Sequence, residues 1–356
     1  MSFSFLGQKM QSPLIIGSGP LSYGADGMIA LHKAGAGAVV TKTIRDNPAM
    51  NPEPHIANLG NSSMINAEEW SDYPAGRWAE TEIPRALAEG VCVICSIGHT
   101  PEEVKHWLPL MDRAGAPLFE LVSYEGETMI PMIREAKKLT DKPVLVKISP
   151  NWKDPAGSAL EAAANGADGI TAMDSLGPVL SIDVNTAKAS VAGQNGMGWL
   201  TGSAIKPLAL RFVAEIASQT EIPIVGLGGV MNGEDALEMV MAGASAVGVC
   251  TMPMLKGTGS LNKLLSELQS LLDKLGYESL SDARGAALPY LFRKADRVKH
   301  SLVYEAPCRL CGLCIKRCPY QALSEQNESI RIEKTLCRRC GLCTTSCPQN
   351  KLKLIL

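Results

Sequence analysis

The sequence predicts an α/β protein in two parts, a large barrel of parallel strands followed by a small cysteine-rich domain. Short apolar runs alternate with longer helical patterns over about 275 residues, and one cysteine spacing occurs twice near the carboxyl end. A chain of 356 residues suffices for one large and one small domain. We expect the barrel over residues 1–285, a linker with a charge-rich stretch over 286–304, and the small domain over 305–356.

Eight apolar or β-branched runs predict eight strands. Their near-continuous apolar character suits strands that are buried on both faces. The runs are Pro13–Gly17, Ala38–Thr41, Val91–Ile97, Pro117–Val122, Pro143–Ile148, Asp168–Met173, Ile222–Gly228 and Ala246–Cys250. Eight such β-α units favour a closed (β/α)8 TIM barrel. An open doubly wound sheet is the alternative, but neither "GSGPLSYG" nor "GLGGVMNG" has the GxGxxG spacing of a dinucleotide site.

Helical patterns separate these runs. Several end in Gly-Ala directly before the next strand, which is typical of a glycine stop at a helix carboxyl end. After the eighth strand, leucines from Leu261 to Leu275 repeat at helical spacing. This spacing predicts one apolar helix face that packs on the core.

Charge and hydropathy argue against several classes of partner. The net charge is −2, which gives no electrostatic reason to expect nucleic acid or an anionic membrane. No apolar run reaches the ~18 residues of a membrane span, and the start "MSFSFLGQKMQSP" lacks the pattern of a signal peptide. We expect a cytoplasmic protein without a membrane or nucleic-acid partner.

The cysteine repeat is the strongest signal in the chain. "CRLCGLCIKRCP" begins at Cys308 and "CRRCGLCTTSCP" at Cys337, and both have the spacing C-x2-C-x2-C-x3-C-P. This is the run of bacterial two-cluster ferredoxins, in which the fourth cysteine of each run ligates the other cluster. The expected ligands of two [4Fe-4S] clusters are Cys308, Cys311, Cys314 and Cys347 for one, and Cys337, Cys340, Cys343 and Cys318 for the other.

Two zinc sites are the alternative interpretation of the repeat, but zinc does not require the third CxxC step or the proline. Gly312 and Gly341 lie at matched places where the backbone must turn closely around a cluster. The lone CxxC of Cys92 and Cys95 lies in a predicted strand, so its side chains would face opposite sides and belong to the core.

In a barrel of this kind, the chemistry lies at the carboxyl ends of the strands. Glycines follow the seventh strand and Thr251 follows the eighth, which suits a phosphate site because backbone N–H groups approach a phosphate closely only where Cβ is absent. Lys42 and Lys147 would face into the barrel mouth. An unpaired lysine there can stabilise an anionic ring.

Several motifs, among them "LGQKMQSPLIIGSGP", "VKISPN" and "TGSAIKPLALRFVAEIA", together resemble the barrel of the dihydroorotate dehydrogenase family. The chain looks most like the pyrimidine-reducing part of dihydropyrimidine dehydrogenase, which also carries a carboxyl-terminal two-cluster ferredoxin module. The resemblance covers essentially the whole chain.

The resemblance implies FMN, with Thr41 and Lys42 in contact with the flavin and Lys147 against its N1/O2 edge. Asn66 would face the substrate, with Glu68 near it. Barrels of this family often pair, which implies a homodimer or a larger complex. The remaining implied FMN contacts, most of them around the phosphate, are Gly17, Gly202, Gly228, Gly229, Cys250 and Thr251.

The loop after the fourth strand departs from the family. The family has N-x-S-C-P or a serine version there, which supplies the acid or base, whereas this chain has "VSYEGETM". Tyr124 is the nearest replacement because a phenol can donate a proton; Ser123 and Glu125 are weaker candidates. Tyr124 as a mere wall of the pocket is the alternative. Asp174 and Ser175 stand where the family has asparagine and threonine, and a carboxylate there favours a donor-rich or cationic substrate group.

These observations predict an FMN- and iron–sulfur-dependent oxidoreductase that reduces C=C or oxidises CH–CH bonds of a small cyclic or conjugated substrate, not a standard pyrimidine. Its electrons would be exchanged with a ferredoxin, a flavodoxin or a partner subunit that oxidises NAD(P)H. One alternative is a dihydropyrimidine or dihydroorotate dehydrogenase subunit with an altered acid loop. Another is an electron-transfer subunit of a larger complex.

Overall fold

A computed structural model describes residues 3–293 and 300–355. The chain divides into two compact units, Met1–Leu291 and Phe292–Leu356. Part of the predicted linker, residues 294–299, lies outside the described residues. Among the described helices, none is both long and apolar enough to cross a membrane.

The first unit contains a closed barrel of eight parallel strands. The strands of this unit are Phe3–Phe5 (β1), Gln8–Met10 (β2), Leu14–Ile16 (β3), Ala38–Val40 (β4), Ile56–Gly60 (β5), Ser63–Asn66 (β6), Cys92–Gly98 (β7), Leu118–Val122 (β8), Val144–Ile148 (β9), Gly169–Ala172 (β10), Leu176–Val179 (β11), Ile182–Asp183 (β12), Lys188–Ala189 (β13), Gly198–Gly202 (β14), Ile224–Leu227 (β15) and Ala246–Val249 (β16). The barrel order is β3-β4-β7-β8-β9-β10-β15-β16, and β16 pairs with β3 to close it. All eight predicted runs become barrel strands, so the predicted barrel is confirmed.

The helices follow the strands as the sequence pattern indicates. They are Ala25–Lys33 (α1), Ala75–Arg77 (α2), Ile83–Ala88 (α3), Pro101–Arg113 (α4), Gly126–Leu139 (α5), Pro155–Ala164 (α6), Lys206–Ala217 (α7), Gly233–Met241 (α8), Thr251–Lys256 (α9), Ser260–Leu275 (α10) and Leu280–Ala283 (α11). Four begin at side chains that cap them, because Thr100, Asp154, Asn232 and Ser279 each accept a hydrogen bond from the first turn. On α10 the predicted stripe is buried at four leucines, but Leu275 at its end is 52% exposed, which corrects that one position.

The barrel interior changes from apolar to polar along the strands. Near the amino ends, inward side chains such as Ile15, Ile94, Leu118 and Leu145 pack with Phe5 of the β1–β2 hairpin into one apolar cluster. Because side chains alternate along a strand, the residues two positions further face the same interior. Those residues are Ser96, Glu120 and Lys147, with Thr171 on β10 beside Lys147, and all four are buried. The barrel therefore carries a polar layer directly below its carboxyl end.

A second sheet in this unit joins two insertions that sequence reasoning did not predict. The antiparallel order is β11-β14-β6-β5, so the segment after β4 pairs with the segment after β10. In its register Trp199 lies opposite Asn66, and Gly202 lies opposite Ser63. This sheet brings side chains from distant parts of the sequence to the carboxyl end of the barrel.

The second unit contains two antiparallel strand pairs and two short helices. Its elements are Ser301–Tyr304 (β17), Leu313–Lys316 (α12), Leu323–Gln326 (β18), Ser329–Ile332 (β19), Leu342–Ser346 (α13) and Leu352–Ile355 (β20). β17 pairs with β20, and β18 pairs with β19. The two halves repeat one backbone path, because Gly312 before α12 and Gly341 before α13 have φ of 68° and 83°. Both glycines have the left-handed conformation that the turn predicted at these positions requires.

Candidate functional site

A cavity of about 1240 Å³ lies at the carboxyl end of the barrel. Every one of the eight barrel strands, or the segment directly after it, contributes lining residues. Further lining comes from the second sheet, through Met64, Asn66, Trp199 and Thr201. A concave site of this size, with a few convergent polar groups, is typical of a cofactor and its substrate.

Lys42 lies just after β4 and pairs with Glu68. Its Nζ is 2.8 Å from Glu68 Oε1, and it also donates a hydrogen bond of 2.8 Å to the carbonyl oxygen of Glu69. The side chains of Lys42 and Glu68 are only 5% and 12% exposed. The pair fixes the position of the Lys42 ammonium within the cavity lining.

Lys147 lies in β9 and pairs with Asp174, with 3.1 Å between Nζ and Oδ1. Burial lowers the pKa of Lys147, but Asp174 and Glu120 outweigh burial and hold that pKa above its usual range. Both lysines were expected to be unpaired in the barrel mouth, and that expectation is wrong. A lone buried ammonium would be costly, so each lysine has a carboxylate partner.

Glu120 lies in the polar layer next to Lys147. Its Oε2 accepts a hydrogen bond of 2.6 Å from Thr171 Oγ1, whereas its buried Oε1 has no partner among the described residues. Burial raises the pKa of Glu120, although the charge of Lys147 acts in the opposite direction. A buried carboxylate thus lies on the side of Lys147 that faces the barrel interior.

Glycines form a crowded cradle on another side of the cavity. Gly202 and Gly229 have φ of 84° and 78°. A Cβ at Gly229 would lie 2.8 Å from the main-chain nitrogen of Lys206, and a Cβ at Gly202 would lie 2.2 Å from the carbonyl oxygen of Ser62. Within the described part of the chain, the N–H groups of Gly228 and Gly229 donate to no main-chain or side-chain acceptor. Open N–H groups in a bare backbone turn are the chemistry that binds phosphate.

These features fit FMN. The glycine cradle would hold the phosphate, and the paired lysines would present positive charge to the ring. Gly202, Gly228, Gly229, Cys250 and Thr251 all line the cavity, as the family resemblance implies. Burial raises the pKa of the Cys250 thiol to about 11, so the thiol remains protonated beside the cradle.

Two of the implied flavin residues and two candidate acids do not line the cavity. Thr41 is fully buried and accepts a hydrogen bond of 3.0 Å from the N–H of Ser96, while its neighbours Lys42 and Thr43 face the site. Ser18 lines the cavity in place of Gly17. Ser123 Oγ lies 2.6 Å from Thr128 Oγ1 and accepts a hydrogen bond from the N–H of Glu125, so this loop serves the start of α5.

Tyr124, by contrast, lines the cavity together with Asn66, Glu68, Asp174 and Ser175. Trp152 Nε1 holds the loop in place with a hydrogen bond of 3.1 Å to the carbonyl oxygen of Tyr124. Burial, and then the charge of Asp174, raises the pKa of Tyr124 to about 12, although the side chain is 52% exposed toward the cavity. The phenol hydroxyl has no hydrogen-bond partner among the described residues.

Sequence reasoning missed three aromatic rings beside Tyr124. Trp70, His99, Tyr124 and Trp199 form a continuous row, hereafter the aromatic wall, with successive centroids 6.1, 4.4 and 6.2 Å apart. Burial and the charge of Arg45 lower the pKa of His99 to about 3. His99 directly follows β7, so two more residues beyond the predicted strand end at Ile97 would have included it. Trp199 lies between glycines in an inserted strand and gave no comparable signal.

The cysteine runs surround two separate cavities in the second unit, each of about 350 Å³. The cysteines of one cavity are Cys308, Cys311, Cys314 and Cys347, and those of the other are Cys318, Cys337, Cys340 and Cys343. The fourth cysteine of each run thus lies with the first three cysteines of the other run. No group of three or more ligating side chains in residues 3–293 and 300–355 is arranged to hold a single metal ion.

Backbone N–H groups point at the fourth cysteine of each run. Cys318 Sγ accepts a hydrogen bond of 3.4 Å from the N–H of Ala322, and Cys347 Sγ accepts one of 3.3 Å from that of Lys351. In the first run, the N–H of Leu313 lowers the pKa of Cys311. Such contacts favour thiolates, the form in which cysteine binds iron, whereas burial raises the pKa of Cys314 and of Cys343. The four cysteines around each cavity are a donor set that fits one iron–sulfur cube.

Comparison with known proteins identifies the barrel. The family model for dihydroorotate dehydrogenase matches residues 120–272. Among curated relatives, the catalytic subunit of dihydroorotate dehydrogenase B (NAD(+)) from Pyrococcus abyssi is 30% identical over 306 residues, which covers 81% of this chain and 99% of the relative. The corresponding subunit from Geobacter sp. (strain M21) is 32% identical over 302 residues, which covers 80% of this chain and 97% of the relative. The chain therefore belongs to the dihydroorotate dehydrogenase family and is a flavin-dependent oxidoreductase that acts on CH–CH bonds.

Proposed function

We propose that the chain uses FMN and two [4Fe-4S] clusters to exchange electrons with the CH–CH or C=C bond of a small cyclic or conjugated substrate that is not a standard pyrimidine. The observation that carries the proposal is that Tyr124, Lys147 and Asp174 line one cavity beside an open glycine cradle. Tyr124 takes the place of the family's acid, and Asp174 takes the place of a neutral amide. Both changes alter how a substrate is recognised while leaving the flavin contacts intact.

FMN, when bound, supplies an acceptor or donor for the hydride that leaves or enters the substrate carbon. The chain's own residues do the rest. The N–H groups of Gly228 and Gly229 bind the phosphate, and Lys147 presents its charge to the ring from a position that Asp174 and Glu120 maintain. Conversion of a C=C to a CH–CH bond also requires one proton at the second carbon.

Tyr124 is the residue that we assign to this proton. Its pKa of about 12 keeps the phenol protonated at neutral pH, and no described residue occupies its hydroxyl. His99 has a pKa of about 3, so its imidazole is neutral at neutral pH and cannot act as an imidazolium acid. A protonated phenol suits delivery of a proton, which is the direction of C=C reduction.

The cysteine cavities support the two clusters. Each cavity combines three cysteines of one run with the last cysteine of the other, which is the ligand exchange of two-cluster ferredoxins. Such clusters, when bound, carry single electrons. The presence of this cysteine repeat and the barrel in one chain supports a likeness to dihydropyrimidine dehydrogenase.

The partner would be a ferredoxin, a flavodoxin or a subunit that reacts with NAD(P)H. The relatives are named as catalytic subunits of an NAD(+) enzyme, which supports a partner subunit. We further propose a homodimer or a larger complex, located in the cytoplasm, where eleven unpaired cysteines would remain reduced.

Anaerobic purification of the full chain tests this proposal. We expect one FMN and about eight irons per chain, eight being two four-iron clusters. Uracil and thymine are assayed with reduced methyl viologen as the electron donor, and dihydroorotate with dichlorophenolindophenol as the electron acceptor. Turnover of all three should be absent or weak. Full turnover with any of the three would favour the second candidate, a pyrimidine-linked dehydrogenase, which the position of Asn66 in the lining supports.

Tyr124→Phe tests the assigned acid. We expect turnover with the physiological substrate to fall ~100- to 10,000-fold while flavin and iron contents stay unchanged. Tyr277→Phe, a partly buried tyrosine packed on the core away from the cavity, is the matched control. Unchanged turnover in Tyr124→Phe would leave Tyr124 as a wall residue only.

A further inference from the structure

The aromatic wall and the carboxylates beside it define one side of the cavity. Tyr124 and Trp199 are stacked, with 25° between their planes, while the contacts of His99 with Trp70 and with Tyr124 are edge-on. Four aromatic rings in a row offer ring faces of the kind that bind planar or cationic ligands, and the stacked pair of Tyr124 and Trp199 forms the flat part of this surface. None of the wall rings carries a positive charge, because the pKa of His99 is about 3.

The charged side chains in the lining are two lysines and three carboxylates, namely Lys42, Lys147, Glu68, Glu69 and Asp174. Both lysines already pair with carboxylates. The Glu69 carboxylate has no cation partner within the described part of the chain, and its charge contributes to the raised pKa of Tyr124 beside the wall. The lining as a whole therefore carries an excess of negative charge.

The oxygens of these carboxylates leave room for a ligand. Lys42 contacts Oε1 of Glu68 and Lys147 contacts Oδ1 of Asp174, while the second oxygen of each carboxylate has no partner among the described residues. Arg45, the nearest further cation, pairs with Glu103 and stacks over Trp70 at 4.4 Å, and it does not line the cavity.

We infer that the substrate is a planar ring compound that carries a positive charge, with the ring against the aromatic wall and the charge beside Glu69 and Asp174. This inference rests on the proposed function, in which FMN occupies the glycine cradle and the lysine side of the cavity. A cation gains from the ring faces and from the unpaired carboxylate. An anionic ring such as a carboxylated pyrimidine would meet the unpaired Glu69 carboxylate, because both lysines are already neutralised by Glu68 and Asp174.

Three probes that share one ring test the charge preference: 1-methylnicotinamide (cation), nicotinamide (neutral) and nicotinate (anion). Each is titrated into the oxidised, FMN-loaded full chain, and binding is followed by the change in flavin absorbance. A parallel titration of flavin-free protein follows the quenching of tryptophan fluorescence. We expect the cation to bind at least tenfold more tightly than the anion, with the neutral probe between them.

Variants then assign the preference to the wall and its carboxylates. Glu69→Gln should reduce the ratio of cation to anion affinity several-fold, and Trp199→Leu should weaken all three probes together. Glu80→Gln, at an exposed position outside the cavity, and Trp107→Leu, whose indole bonds Asp46 outside the lining, are the matched controls.

The outcomes separate this inference from the proposed function. The inference would be overturned if the protein had normal flavin content but bound the three probes equally, or bound nicotinate most tightly. Either result would leave the proposed function intact. Protein that binds no FMN would refute the proposed function, while fluorescence titration would still measure the charge preference. If Glu69→Gln and Glu80→Gln changed the ratio of cation to anion affinity equally, the cation would not lie beside Glu69.

Discussion

In the barrel, the cavity is lined by residues from all eight strand ends, and four of its five charged side chains form two ion pairs, Lys42–Glu68 and Lys147–Asp174. In the second unit, all eight cavity-lining cysteines come from two short runs, and each of the two cavities is lined by three cysteines of one run and the last cysteine of the other. The barrel therefore positions its site through contacts among its own residues, whereas we propose that the cysteine loops depend on bound clusters.

The cores of the two units differ in the same sense. The barrel packs an extensive cluster of buried side chains around its strands. The buried core of the second unit consists of Leu302, Cys314, Leu323, Ile330 and Leu352, so one of its members is itself a proposed ligand. Small domains with little core often gain their folding energy from metal. Loss of the proposed clusters should therefore reduce the stability of the second unit far more than loss of FMN reduces the stability of the barrel.

The largest effect is expected from Cys340→Ser, which removes one proposed ligand from an exposed loop. Iron should fall by about half, from two cubes to one, and electron exchange with an external carrier should stop. FMN content should stay unchanged because the barrel cavity is held by its own contacts. Metal analysis and flavin absorbance of the same preparation measure both effects.

Cys92→Ala is the control for this variant, because Cys92 lies in barrel strand β7 away from the repeat. Its iron content should equal that of the unmodified chain. If Cys340→Ser kept the iron content of the unmodified chain, or lost FMN together with iron, the two units would not differ in their dependence on a bound group.

A smaller but still large effect is expected from Lys147→Met. Turnover should fall ~100-fold or more, because a positive charge beside the flavin is lost. Removal of the cation also leaves Asp174 without its partner and takes away the positive charge beside buried Glu120, which should cost ~3–5 kcal/mol of unfolding free energy. Denaturant titration and the reduction potential of the bound flavin, which should become more negative, are the measurements.

The double variant Lys147→Met/Asp174→Asn separates stability from chemistry. It should recover part of the lost stability, because one carboxylate charge is gone, while turnover stays low. Lys137→Met, whose partner Asp168 lies on the outer surface, is the control and should change neither. Recovery of turnover in the double variant would show that Lys147 acts only as a counter-charge for Asp174.

The sequence was sufficient for the features that follow from local spacing. The eight strands could be predicted because buried parallel strands have apolar runs, and the cysteine sets follow from the repeat alone. The pairing of Lys42 with Glu68 and of Lys147 with Asp174 could not be predicted, because it depends on how separate strand ends and an inserted segment meet. Trp199 reaches the site through the register of β14 against β6, and a strand pairing between residues so far apart leaves no local pattern.

A moderate effect is expected from Gly229→Ala. Both Gly229 and Gly257 have positive φ, 78° and 77°, so alanine strains either backbone by ~1–2 kcal/mol. Only at Gly229 would the new Cβ lie 2.8 Å from main-chain atoms, whereas nothing lies within 4 Å at Gly257. The dissociation constant for FMN should rise at least tenfold in Gly229→Ala and stay near its normal value in Gly257→Ala. Equal affinities in the two variants would exclude Gly229 from the phosphate site.

The smallest effect at neutral pH is expected from His99→Gln, because its difference in stability from the unmodified chain develops only as the pH falls. The pKa of His99 is about 3 in the folded chain and about 6.5 in an unfolded chain, so only the unfolded chain takes up this proton between those values. His99 therefore stabilises the fold fully above pH 6.5, and that stability is lost as pH falls toward 3, by up to ~1.4 kcal/mol per pH unit.

Relative to the unmodified chain, His99→Gln should gain about 3 kcal/mol of unfolding free energy between pH 7 and pH 4 in urea titrations. His106→Gln, at an exposed position, is the matched control. A pH-independent difference for His99→Gln would mean that this imidazole takes up its proton equally in both states, and the aromatic wall would then carry a positive charge in mild acid.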